Sequence, residues 1–260
     1  MSAPSEAPGA AVPPIVMHDE IDSTNAEALR RAAMGERGPV WICARAQHQG
    51  RGRSGRSWQS PPGTLAASLM FSPAVAASSL PELSLVAGVA TADAITGIAG
   101  GQDRRDLPHR LKWPNDVMIG GAKLSGILIE SSSFGTDLVA VVGIGINIAA
   151  RPAIDGRAVT SLAEHGVHCT ANDLALELAR CMARVLAIWD CGTGFPGIRA
   201  AWLQRATPVG TPMTVNAGTG PEAGTFAGLD TDGALLLQDN KGIRRRFTFG
   251  DVMLAAPAKA

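Results

Sequence analysis

Gly50-Arg51-Gly52-Arg53-Ser54-Gly55-Arg56-Ser57-Trp58 packs three glycines and three arginines into nine residues, with Pro61-Pro62-Gly63 close behind. Glycine disfavours helix and strand alike, and nothing in the stretch alternates with period two, so it reads as a mobile loop. Such a loop places guanidinium groups and bare backbone N–H donors around an anion. The letters also satisfy G-x-G-x-x-G, the dinucleotide fingerprint. That fingerprint needs a helix opening at the third glycine and an acidic residue about 20 positions on. Here Trp58 and Pro61-Pro62 deny the helix, and no carboxylate follows until Glu82. Two readings stay open on this stretch alone: an anion-binding catalytic loop, or a solvated basic loop of the RNA-binding kind.

The rest of the chain narrows the choice. Its 260 residues, 46% hydrophobic and 18% charged, make one large domain or one with a small companion. Lys+Arg 23 cancels Asp+Glu 23, which argues against a general nucleic-acid binder and makes the arginines a local device. Cys43, Cys169, Cys181 and Cys191 lie far apart, and His165 and His168 beside Cys169 match no common zinc spacing, so no metal site is expected. No secretory leader and no apolar run of spanning length is evident. A reduced, cytoplasmic protein without membrane contact is expected.

Residues 1–14 are rich in Ala, Pro and Ser and read as a disordered tail. A short strand is expected over Val12–His18, and Thr24 with Glu27 fits a capping box opening a helix to about Met34. That helix start is either a plain cap or a place where Ser23, Thr24 and free N–H groups hold a ligand oxygen. Strands are expected over Val40–Arg45, Thr64–Phe71, Lys123–Glu130 and Leu138–Ile148, with a helix after Pro81 closed by Gly100-Gly101. In Leu111-Lys112-Trp113-Pro114-Asn115-Asp116-Val117, Pro114 forces a turn between two strands, and Gly120-Gly121 marks a hairpin. Gly143 and Gly145 inside a strand mean close approach of a ligand, or a bulge. Arg151–His168 shows little pattern. Helices follow from Thr170 and over Ile198–Arg205, and from Thr207 the texture becomes short strands split by Gly, Asp and Asn. The expected organisation is a main domain over 15–206 and a small β-barrel over 207–256.

Asp22–Asn25, Gln47–Trp58, Lys112–Asp116, Lys123–Glu130 and Gly143–Asn147 together resemble the biotin protein ligases of the biotin/lipoate ligase superfamily. The match runs from about Ile15 to Val252 in the family's order. The pair G-R-G-R-x-G-R with K-W-P-N-D is specific, since the related lipoate ligases lack the arginine loop. The resemblance implies an α+β fold: a mixed β-sheet with helices packed on one side and a small C-terminal SH3-like barrel. It covers the catalytic core alone, without the N-terminal DNA-binding domain that some members carry, so no nucleic-acid partner is expected.

The family's reaction activates biotin with ATP to biotinyl-5′-AMP, then transfers biotin to a lysine of a biotin carboxyl carrier protein. Neither step needs a protein nucleophile; both need positive charge and positioning around phosphate. The resemblance makes Arg51, Arg53, Lys123 and Asp116 the catalytic set, with Mg²⁺ beside the departing pyrophosphate. Biotin would meet Ser23, Thr24, Asn25, Gln47, Gly50, Arg51, Gly52, Arg53, Lys123, Gly126, Gly143 and Gly145. ATP would meet Arg51, Arg53, Trp58, Lys112, Asn115, Lys123 and Asn147. Asp116, expected at the pocket rim, is a base or orienter for the incoming amine, or else a turn residue capping its own backbone. Trp113 is expected in the core, and a lysine that opens a strand is ordinarily solvated. The competing class is an RNA-binding or regulatory module built on the loop, the barrel and Arg244-Arg245-Arg246. Relatives form dimers through the sheet edge, which leaves monomer and homodimer both open.

Overall fold

The computed structural model describes residues 11–104, 106–154, 156–218 and 220–254. Most of the expected tail, residues 1–10, lies outside the described residues, and 11–14 carry no regular structure. Seven strands form the first sheet: β1 (Ile15–Ile21), β2 (Val40–Gln47), β3 (Thr64–Phe71), β4 (His109–Lys112), β5 (Asp116–Ile119), β6 (Ala122–Phe134) and β7 (Asp137–Asn147). Their order is β1-β2-β3-β7-β6-β5-β4, with β1 parallel to β2 and the other pairs antiparallel, so the sheet is mixed as expected.

Alternation along the central strands decides which helix goes where. Trp41, Cys43, Leu65, Ala67, Leu69, Val142 and Ile144 share one buried cluster with α2 (Glu82–Gly100), α3 (Ala171–Trp189) and α4 (Phe195–Arg205). The intervening residues Val40, Ile42, Met70, Val139 and Val141 point the other way and pack on Ala28 and Ala32 of α1 (Thr24–Ala33). Period-two side chains on a sheet apolar on both faces need cover on both. Three helices cover one face and α1 part of the other, which corrects the expectation of helices on one side only. Each such Val, Leu or Ile contributes about 1.5–3 kcal/mol when fully buried.

α2 also corrects the expectation about spanning segments. It is long and apolar enough to cross a membrane by length and composition, but 67% of its apolar window is buried. It is the core helix of the sheet, and Gly88 lets it lie close to Trp202 of α4, the indole Nε1 standing 3.2 Å from where a Cβ would sit.

A second sheet follows, all antiparallel: β8 (Pro212–Asn216), β9 (Pro221–Leu229), β10 (Leu235–Gln238), β11 (Arg244–Phe247) and β12 (Asp251–Leu254), in the order β11-β10-β9-β8-β12. Gly250, at φ 144°, turns the chain between β11 and β12. This small sheet is joined to the main one through Trp113, which is 4% exposed and whose Nε1–H donates to Gly233 O at 3.0 Å. Trp113 is a core residue, as expected.

Candidate active site

The glycine–arginine stretch is more ordered than its composition suggests. Gly52 N–H donates to Arg56 O (2.7 Å), Trp58 N–H to Gly50 O (2.8 Å), and Arg51 bridges Ser57. Ser54 and Gly55, at φ 56° and 72°, supply the two positive φ angles of a primed hairpin turn. The stretch is a miniature hairpin between β2 and β3, which corrects the loop reading. Gly50 is required there, because a Cβ would stand 2.3 Å from Trp58 O.

The hairpin carries Arg53 over the turn between β4 and β5. Arg53 Nη1 donates to Asn115 Oδ1 at 2.9 Å, and Asn115 Nδ2 donates to Ile127 O at 2.7 Å. The Asn115 amide is therefore spent on aiming the arginine. Burial pulls the Arg53 pKa below its ordinary value, against the pull of the nearby Asp251 and Asp116 carboxylates.

Beneath it lies a charged triad. Asp116 is 9% exposed, with Lys112 Nζ 2.8 Å from Oδ2 and Lys123 Nζ 2.5 Å from Oδ1. Burial opposes its ionisation, but the ammonium groups of Lys123 and Lys112 outweigh burial and hold its carboxyl below the ordinary value. Asp116 is thus neither at the rim nor capping its own turn. A carboxylate so stabilised is a poor proton acceptor, and each of its oxygens faces one lysine ammonium. Lys123, far from being freely solvated, also lies 5.4 Å from the centroid of the Trp58 ring.

The opposite wall is the start of α1. Its N-cap is Ser23 rather than Thr24, with Ser23 Oγ accepting from Ala26 N–H at 3.4 Å; Glu27 pairs with Arg30 and Arg31 instead of closing a capping box. Thr24 N–H donates to Gln47 Oε1 at 2.8 Å. Ser68 Oγ lies 2.6 Å from Asn25 Oδ1 and 2.7 Å from Thr24 Oγ1. A carboxamide oxygen only accepts, so the single Ser68 proton goes to Asn25 and Thr24 is left to donate. Asn25 Nδ2 then donates to Glu130 Oε2 at 2.7 Å, and Arg51 Nη1 stands 3.5 Å from Glu130 Oε1. One polar chain thus runs from Gln47 to the hairpin.

Between these walls the floor is glycine. β7 pairs with β3 and β6 without a register shift through Gly143 and Gly145, so neither is a bulge. They are close-approach sites: a Cβ would stand 2.3 Å from Asn25 Oδ1 at Gly143 and 2.4 Å from the Trp58 indole at Gly145. At Gly126 it would stand 2.9 Å from Lys123 Nζ.

All of this encloses one cavity of about 510 Å³, lined by fifteen of the seventeen expected residues. Gly50 and Asn147 are absent from its wall. Asn147 is fully buried and donates through Nδ2 to Thr160 O at 2.9 Å, pinning the 151–163 connection. Sequence reading missed Ser68 and Glu130, ordinary strand residues in both pattern and type. It also missed the wall from Ile154, Arg157 and Val159, which docks by Lys123 N–H donating to Ala158 O and Thr160 N–H to Lys123 O. The small sheet adds Asn216 and β12, which no local signal placed here.

A glycine floor, a cationic roof and a carboxylate held between two lysines make a pocket suited to a small ligand that carries negative charge. The chain matches the Biotin/lipoate A/B protein ligase family over residues 20–147 and the biotin protein ligase C-terminal domain over 211–254. It is 41% identical to a biotin–[acetyl-CoA-carboxylase] ligase of Paracoccus denitrificans over 85% of this chain and 92% of that protein. It is 32% identical to the bifunctional ligase/repressor BirA of Escherichia coli over 92% of this chain and 73% of that one. Among solved structures, a biotin protein ligase from Aquifex aeolicus in complex with biotin and ATP superposes with a TM-score of 0.76 at 26% identity, covering 94% of this chain and 99% of that one. One from Leishmania major in complex with biotinyl-5-AMP gives 0.62 at 25%, covering 90% and 98%. The chain belongs to the biotin protein ligase family, and its activity is that of a biotin ligase rather than an RNA-binding module.

Proposed function

We propose that this chain performs both half-reactions in the one cavity, with the roles that follow. The observation that supports this most is the convergence of Arg53, Lys112 and Lys123 on a single glycine-floored pocket, with Asp116 between the two lysines. Biotin lies on Gly126, Gly143 and Gly145 with its polar ring edge toward Ser23, Thr24, Asn25 and Gln47. Its carboxylate oxygen attacks the α-phosphorus of ATP; the bond to the bridging oxygen breaks and pyrophosphate leaves. Lys123, Arg51 and Arg53 stabilise the negative charge on the α-phosphoryl oxygens and the departing oxygen, a contribution worth about 3–4 kcal/mol for a single well-placed donor. Asp116 keeps Lys112 and Lys123 in place. Trp58 closes the pocket beside the adenine. In the second step a neutral lysine amine of the acceptor attacks the acyl carbon, AMP leaves, and the amide nitrogen loses a proton to solvent.

Mg²⁺ enters as part of the MgATP substrate. Among the described residues no group of three His, Cys, Asp or Glu side chains could hold a metal, and the two carboxylates on the cavity wall already face cations. The acceptor is a biotin carboxyl carrier domain, a reading supported by the Paracoccus relative, whose name gives acetyl-CoA carboxylase as what it acts on. The division into 15–206 and 207–256 suits the two separate sheets, four free cysteines suit a reducing cytoplasm, and β1, at the sheet's end, is where a homodimer would pair. The test is pyrophosphate release. It should require biotin and MgATP together, and release from MgATP alone at the same rate would overturn the role assigned to biotin.

A further inference from the structure

The small domain grips the reactive hairpin. Arg56 donates through Nη1 and Nη2 to Asp251 Oδ2 and Oδ1 at 3.0 and 2.7 Å, a two-pronged pair across 195 positions of chain. Arg56 Nε also donates to Arg53 O at 3.2 Å, so the same guanidinium clasps the hairpin's own turn. On either side of Asp251, Gly250 O accepts from Arg53 Nη2 at 3.0 Å and Val252 O from Lys112 Nζ at 3.1 Å. Three successive residues at the head of β12 thus hold three cations of the adenylation site. Gly250 is built for this turn: its φ of 144° suits glycine, and a Cβ would crowd Asn216 O at 3.1 Å.

We propose that Asp251 is a positioning residue for the adenylation step, its bidentate grip on Arg56 holding the Gly50–Trp58 hairpin in the pose that turns Arg53 into the cavity. Asp251 touches no reacting atom; it acts through Arg56 and Arg53. The side chains of the pair are 35% and 47% exposed, and an ion pair that open contributes little to global stability. What it does contribute is register, because a bidentate fork fixes orientation as well as distance. Without it the hairpin spends less time in the competent pose. A ligand that selects that pose then binds with an apparent constant raised by the inverse of the competent fraction. ATP bears that cost, since its phosphates meet Arg53.

The proposal rests on the ligase reading, and the experiment separates the two. Steady-state pyrophosphate release is measured on the full chain and on Asp251→Asn, Asp251→Glu, Arg56→Gln, the single reversals Arg56→Asp and Asp251→Arg, and the exchange Arg56→Asp/Asp251→Arg, with melting temperatures alongside. A wild-type chain inactive with biotin and MgATP would sink the ligase reading and the proposal with it. With wild type active, Asp251→Asn and Arg56→Gln should each raise the ATP KM about tenfold while kcat changes far less. Both should melt within a few degrees of wild type, and the acidic Asp251→Glu should recover most of the KM. The exchange should do better than the product of its two single charge reversals. Should Asp251→Asn fail to fold, Arg56→Gln reads the same coupling from the hairpin side. An ATP KM within twofold of wild type in a folded Asp251→Asn or Arg56→Gln would overturn the proposal. So would equal impairment of Asp251→Asn and Asp251→Glu together with a collapsed melting temperature, which marks a structural role only.

Discussion

Asp116 is where residue-scale chemistry is most constrained. Its type and its place after Pro114 were legible in sequence, and its role was not, because the two lysines that claim it sit on β4 and β6 and meet only through the sheet. Its carboxyl is held below the ordinary range in the folded state. A depressed folded pKa contributes stability that is present above the unfolded value near ~3.9 and lost as pH falls through the folded one. Asp116→Asn should therefore be less stable than wild type at neutral pH, by about 3–5 kcal/mol for a broken buried pair. The two unfolding curves should converge as pH drops below 4. Urea midpoints across a pH series check this, and parallel curves down to the acid limb would contradict it. Lys123 sits in the same balance. Lys123→Ala should abolish adenylation and also lower the melting temperature, since Asp116 would keep only Lys112 as a partner; an unchanged melting temperature would contradict the pairing.

At the scale of elements, the strands and the Gly120-Gly121 turn were legible because alternation and glycine placement are local. The Gly50–Trp58 hairpin was not. Its order depends on two positive φ angles at Ser54-Gly55 and on Asn115, Glu130 and Asp251, all distant in sequence. The sequence did raise close approach as one of two meanings for Gly143 and Gly145, and the unshifted register leaves only that one. Gly145→Ala places a methyl 2.4 Å from the Trp58 indole, and relief costs on the order of 1–3 kcal/mol. The cheapest relief is to push the hairpin outward. Trypsin should therefore cut Gly145→Ala at Arg51, Arg53 and Arg56 faster than wild type. In wild type, biotin with MgATP should suppress those cuts; in the variant it should not. Equal cleavage of both proteins would mean that Trp58 does not anchor the hairpin.

On the scale of the whole molecule, the two sheets are one functional object. The small sheet's strand texture was legible from Thr207 onward, yet nothing local said that its last strand would wall the cavity. The 151–163 connection hid in the same way: it is patternless because it docks on Lys123 through backbone groups, which leave no trace in side-chain type. α1 could not be assigned to a face because Val40–Ala44 is apolar on both sides. Trp113 is the buried rivet between the sheets. Trp113→Phe keeps an aromatic six-membered ring but removes the pyrrole half of the indole and leaves Gly233 O without its donor, a loss of about 1–3 kcal/mol from the hydrogen bond alone. A lower urea midpoint with an unchanged slope is expected, and an unchanged midpoint would show that the contact does not couple the sheets.

The most direct measurement follows both half-reactions in one tube. The full chain is incubated with biotin, MgATP and a biotin carboxyl carrier domain, and the acceptor's intact mass is read with time, beside the same mixture made with Lys123→Ala. The site described here predicts one biotinyl group on one acceptor lysine, with pyrophosphate and AMP released, and no mass change with the variant or without ATP. An acceptor left unmodified by the folded wild-type chain, or biotinylated equally by Lys123→Ala, would contradict it.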